Sequence, residues 1–129
     1  MNDEEWMSER LRQAGFQKVA TFFEILHPTK LPRRMLNIDS IGIKGSTIFI
    51  FESSRTKLDT QEIKDIAERY FVFRLQRIAL RASYSFTEIR VFHHNPQTQR
   101  LIEVNGSGRI IKTLTYTDTN KLVLILANR

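Results

Sequence analysis

Hydrophobic positions along the chain change period several times, and the changes mark out the elements. Trp6, Leu11 and Ala14 recur at helical spacing behind Asp3, Glu4 and Glu5, whose charges suit a first helical turn. Gly15 supplies a stop, so a short helix over residues 3–14 is expected. Residues 16–26 are almost continuously apolar and fit a strand or a helix, ended by His27-Pro28. Residues 29–34 carry Lys30, Pro32, Arg33 and Arg34 and read as an exposed basic loop. Two β-branched runs, 35–43 and 47–53, flank Lys44-Gly45-Ser46 and predict an antiparallel hairpin. In its second strand Ile48, Ile50 and Glu52 share one face, and Phe49, Phe51 and Ser53 the other. Both faces are mostly apolar, which places the strand centrally with cover on each side.

Asp59 and Glu62 form a capping-box-like start. Ile63, Ala67, Phe71, Leu75, Ile78 and Ala82 then recur at helical steps, so one long helix is expected. Val72, Phe73 and Leu80 fall off that stripe and call for a second covering surface, which predicts self-association as a two-fold homodimer. Residues 87–94 and 101–105 make a second hairpin around Asn95-Pro96-Gln97. Gly106-Ser107-Gly108 breaks the chain, and residues 122–126 read as a final buried strand. Helix, strands, long helix and strands in that order give a mixed α/β fold, and 129 residues make one domain spanning 1–129.

Composition narrows the chemistry. The absence of Cys excludes a disulfide framework, a thiolate metal site and a cysteine nucleophile. No apolar run approaches the roughly 20 residues of a membrane span, and the acidic N-terminal segment does not resemble a secretory signal, so a cytoplasmic protein without membrane association is expected. A net charge of +6 and an isoelectric point near 10.0 favour an anionic partner. Arg74, Arg77 and Arg81 fall on one face of the long helix, where they suit phosphate contacts or an ordinary solvated face; Lys30, Arg33 and Arg34 offer the same choice on their loop. His93 and His94 point to opposite faces of a strand and cannot chelate together, and Ser107 between two glycines reads as a turn.

The arrangement that carries chemistry is the first hairpin. Asp39 sits early in one strand and Glu52 ends the next, so folding about Gly45 brings both carboxylates to the same end, where they suit a shared divalent cation. Strand-end carboxylates facing solvent are the alternative. From here the sequence resembles the PD-(D/E)XK nuclease superfamily, in particular the small archaeal-type Holliday junction resolvases, over helix one to about residue 104. Glu9 in Ser-Glu-Arg-Leu-Arg-Gln-Ala-Gly-Phe matches the helix and its glycine stop, Asp39 the first hairpin acid and Glu52 the second. The resemblance implies a restriction-endonuclease-like mixed sheet and metal-dependent hydrolysis of DNA. It implies Mg²⁺ or Mn²⁺ held by Asp39, Glu52 and the Ser53 carbonyl, with Glu9 as a further acid. One departure is chemical: the lysine that ends this motif is Ser54 here, leaving Arg55 or Lys57 to reach back toward the site. Three functions follow: a DNA nuclease; an inactive module of the same fold that binds nucleic acid, with Arg55 among its contacts, or a protein; and a small adaptor working through its long helix.

Overall fold

The computed structural model describes residues 2–26, 35–72 and 87–128. Its centre is a six-stranded mixed sheet in the order β1-β2-β3-β4-β5-β6, formed by Lys18–Leu26, Met35–Lys44, Thr47–Ser53, Glu88–Asn95, Arg100–Val104 and Ile110–Thr115. Every neighbouring pair is antiparallel except β3 and β4, which run parallel. A parallel pair needs a crossover, and that connection contains helix α2, Thr60–Ala67. Helices α1, Asp3–Gln13, and α3, Thr119–Ala127, pack on the opposite face. The architecture is the mixed α/β fold expected from the sequence.

Local chemistry explains most boundaries. Asn2, Asp59 and Asp118 each accept a hydrogen bond from a backbone N–H in the first turn of the helix they precede, at 2.8–2.9 Å. Gly15 follows α1 at φ +87°, the left-handed conformation that ends a helix at least cost in a residue without Cβ. In the first hairpin Lys44 pairs with Thr47 across Gly45-Ser46, and Gly45 takes φ +61° as a two-residue hairpin turn requires. The side chains of Asn95 and Asn105 accept backbone N–H groups in the two later turns, so Ser107 belongs to a turn.

Two cores lie on either side of β3. The α2 face gathers Ile41, Ile48, Ile50, Ile66, Val91 and Val104. The α1 and α3 face gathers Met7, Leu11, Phe49, Phe51, Phe92 and Leu122. Its aromatic rings stack, with Phe51 and Phe92 centroids 5.0 Å apart.

Three expectations need correction or limits. Residues 122–126 are helical, within α3: Asp118 caps the N-terminus, Leu122 and Leu126 are buried four residues apart, and Leu124 between them is 61% exposed. A strand would have set Leu122, Leu124 and Leu126 on one face, with one degree of burial. β6 went unrecognised because its side chains are mostly exposed and show little amphipathic contrast. The long helix begins at Thr60 and passes into a π-helical turn, Glu68–Val72; the remainder of the expected span, including Arg74, Arg77, Arg81 and, of the positions argued for a dimer, Phe73 and Leu80, lies outside the described residues.

Candidate functional site

The site forms where β3 ends, beside the middle of β2 and the π-helical turn. Ser40 pairs with Phe51, so the residues one step further out, Asp39 and Glu52, lie across from each other on the α2 face. One Asp39 carboxylate oxygen, Oδ2, accepts the backbone N–H of Ser53 at 2.8 Å, anchoring the acid to the end of β3. Glu52 Oε1 accepts a hydrogen bond from the Tyr70 hydroxyl.

Burial raises the Glu52 carboxyl from its ordinary 4.5 to about 7, and the adjacent Asp39 charge pushes in the same direction. The hydrogen bond from Tyr70 and the positive charge of Arg69 oppose the shift without cancelling it. Burial, together with the neighbouring Glu52, holds the Tyr70 phenol well above its usual range, so it remains a donor. Arg69 lies against the Tyr70 ring, its guanidinium carbon 5.7 Å from the centroid.

Strand β4 completes the surroundings. The parallel register sets His93 opposite Glu52 and His94 opposite Ser53. His93 is 4% exposed, and neither of its ring nitrogens has a hydrogen-bond partner among the described residues. Burial lowers its pKa, and the Asp39 charge works against that shift. His94 projects to the other face, where its Nε2 shares a 2.7 Å hydrogen bond with the Tyr116 hydroxyl and its ring stacks on Trp6 at 5.6 Å. The two histidines therefore do not form one site.

Other sequence candidates are placed elsewhere. Glu9 pairs with Arg12 at 3.2 Å on the solvent side of α1, a helix that packs on the aromatic face, so it is not brought to Asp39 and Glu52. Arg55 makes two 3.0 Å contacts with Asp3 and is held away from the carboxylate pair by them. Ser54 hydrogen-bonds Thr56, hydroxyl to hydroxyl, at 2.7 Å, and Lys57 is exposed on the same loop. Lys30, Arg33 and Arg34 lie outside the described residues.

Sequence reasoning missed Arg69, Tyr70 and His93 as neighbours of the pair. The signal for Tyr70 was present: Ile63, Ile66, Ala67 and Tyr70 follow the i, i+3, i+4, i+7 pattern of a buried helix stripe, and all four are buried. For His93 the signal was its alternation with Val91 beside the strand that carries Glu52.

Among the described residues, no group of three His, Cys, Asp or Glu is gathered closely enough to hold a metal ion by protein ligands alone. Two carboxylates suit a hard divalent cation that keeps several waters or shares phosphate oxygens, the ordinary condition of Mg²⁺.

No protein-family model matches the sequence, and no curated protein is a significant match. Among solved structures, the chain is similar to a crystal structure of a protein of unknown function, AF1548, with a TM-score of 0.48 and 10% identity over 95% of this chain and 52% of that one. The chain thus spans about half the length of that neighbour. Among the described residues, no helix is long and apolar enough to cross a membrane.

Proposed function

We propose that the chain is a metal-dependent DNA nuclease of the PD-(D/E)XK type, hydrolysing phosphodiester bonds with Asp39 and Glu52 as the holders of Mg²⁺ or Mn²⁺. The observation that supports this reading is the carboxylate pair itself: two acids meet at the end of a buried strand, and one is raised to about 7 by burial and by the other. Such a like-charged pair is costly alone and is relieved by a cation. A bound divalent ion would activate water and shield the phosphate.

The chain's own groups have definable parts. The Ser53 N–H orients Asp39, and the Tyr70 hydroxyl orients Glu52 through Oε1. Arg69 contributes positive charge beside Tyr70 and Glu52, where Ser54 offers none. The Ser53 carbonyl is the remaining donor that this reading would use.

A second reading is favoured by one observation. Ser54 replaces the usual lysine and is engaged with Thr56, while Arg55 is committed to Asp3, so neither residue supplies the pair with a cation. That supports a non-catalytic module of the same fold that binds DNA or a protein. Incubation with branched and duplex DNA in Mg²⁺ or Mn²⁺ separates the two. Under the nuclease reading, cleavage falls to background in Asp39→Asn and in Glu52→Gln. Binding that weakens steeply with salt, with no cleavage by the wild type, leaves the module reading. The proposed homodimer is tested by sedimentation: a clean 15.2 kDa species removes it.

A further inference from the structure

We propose that His93 is the third polar group of the Asp39–Glu52 site and hydrogen-bonds the water shell of a hydrated divalent cation held by the two carboxylates. The inference rests on the cation-binding reading above and adds a residue to it. Three observations carry it.

The first is placement. Parallel pairing of β3 and β4 sets His93 opposite Glu52, and the alternation of both strands turns the two side chains to the same α2 face. The second is an unmet demand. An imidazole carries one N–H donor and one lone-pair acceptor when neutral. At 4% exposure both are sheltered from bulk water, and neither has a partner among the described residues. Leaving a buried polar group unpaired is costly, so a structure that retains one beside two acids invites a polar occupant between them.

The third observation limits the role: among the described residues no three His, Cys, Asp or Glu form a set that could itself hold a metal ion, so His93 is assigned to the water shell and not to direct ligation. Mg²⁺ gives up its waters reluctantly, and its water shell reaches groups beyond its direct ligands. His93 is therefore a positioning residue that accepts from, or donates to, water around the ion. Partners of that kind commonly change metal affinity 10–100-fold when removed.

The test uses the full chain, labelled with ¹⁵N in its imidazoles, with Mg²⁺ alone as the probe. The sequence holds three histidines, and His94, on the opposite face, serves as an internal reference. The expected result is a saturable shift of the His93 ring nitrogens at millimolar Mg²⁺, with His94 unmoved and the response lost in Asp39→Asn. Calorimetry should show about tenfold weaker Mg²⁺ binding in His93→Asn; the wild-type spectra stand even if that variant does not fold. Mg²⁺ binding that needs Asp39 yet leaves the His93 nitrogens unmoved overturns the inference and preserves the carboxylate site. An ordinary buried water only, seen as His93 nitrogens already hydrogen-bonded and indifferent to Mg²⁺, overturns it in the same way. No Asp39-dependent binding at all overturns both.

Discussion

His93 and His94 are consecutive residues on one strand, yet they meet opposite treatment. On the α1 and α3 face, His94 lies between Trp6 and Tyr116 and shares a hydrogen bond with the Tyr116 hydroxyl; burial holds its pKa down at about 4, so it is neutral throughout the physiological range. On the α2 face, His93 is buried without partners among the described residues, beside two acids. One side of the sheet is an aromatic core in which a polar group is partly absorbed, His94 Nε2 being bonded to Tyr116 while its Nδ1 has no partner among the described residues. The other carries its polar groups at a strand end, where they remain in electrostatic conflict. Unresolved charge between two half-buried acids, rather than burial of polar groups as such, distinguishes the candidate site.

The largest effect should come from damaging the aromatic side. Phe51 is fully buried and stacks on Phe92, so Phe51→Ala is expected to cost about 3–5 kcal/mol in denaturant unfolding. A loss below about 1 kcal/mol would show that this core is not packed as the stacking implies.

A smaller effect, of opposite sign, should appear on the α2 side. The folded state raises Glu52 from 4.5 to about 7, so it binds more protons than the unfolded state between those values. The resulting contribution to stability is fully present below 4.5 and is lost as pH rises through 7. Glu52→Gln cannot ionise, so it should be more stable than the wild type at about pH 8 by on the order of 3 kcal/mol, with the advantage vanishing at low pH. Equal stability of the two proteins at all pH values would mean that Asp39 and burial do not act on Glu52 as described. His94 has the reverse slope: its lowered pKa means stability present above 6.5 and lost as pH falls through about 4. The two faces therefore pull the pH dependence in opposite directions.

The smallest change sharpens the contrast between the histidines. Tyr116→Phe removes the partner of a buried nitrogen, at an expected cost of about 1–2 kcal/mol near neutral pH. It should also leave Asp39-dependent Mg²⁺ binding intact, because it acts on the other face. Altered cation binding in this variant would show that the two sides are coupled.

Much of this contrast was legible in the chain, for reasons that belong to particular residues. The alternation of Ile48 to Ser53 and the turn at Gly45 were enough to bring Asp39 to Glu52, since strand period and a two-residue loop leave few other registers. Asp59 announced α2 through its cap. Residues 122–126 misled because a short apolar run fits either period, and the decisive signal, Asp118 ahead of Leu122 and Leu126, lies upstream of the run. The helical stripe of Ile63, Ile66 and Ala67 marks Tyr70 as buried, but its relation to Glu52, like that of Arg69, depends on where the π-helical turn sets it against β3. No spacing within the sequence states that.

A last consequence follows from Gly42, which pairs with Phe49 in the middle of the first hairpin. A Cβ there would come within 2.7 Å of the Phe16 ring, so the ring fills the space that a side chain would take. Phe16 and Gly42 act as key and keyway. Sliding β2 by one residue would bring Ile41 or Ile43 beneath the ring and turn Asp39 to the face away from Glu52. The meeting of the two acids is thus guarded by a contact on the far side of the sheet, made by residues that never touch them. Evolution could retune the site freely while that lock holds, and would lose the site by substituting a residue with no chemistry of its own.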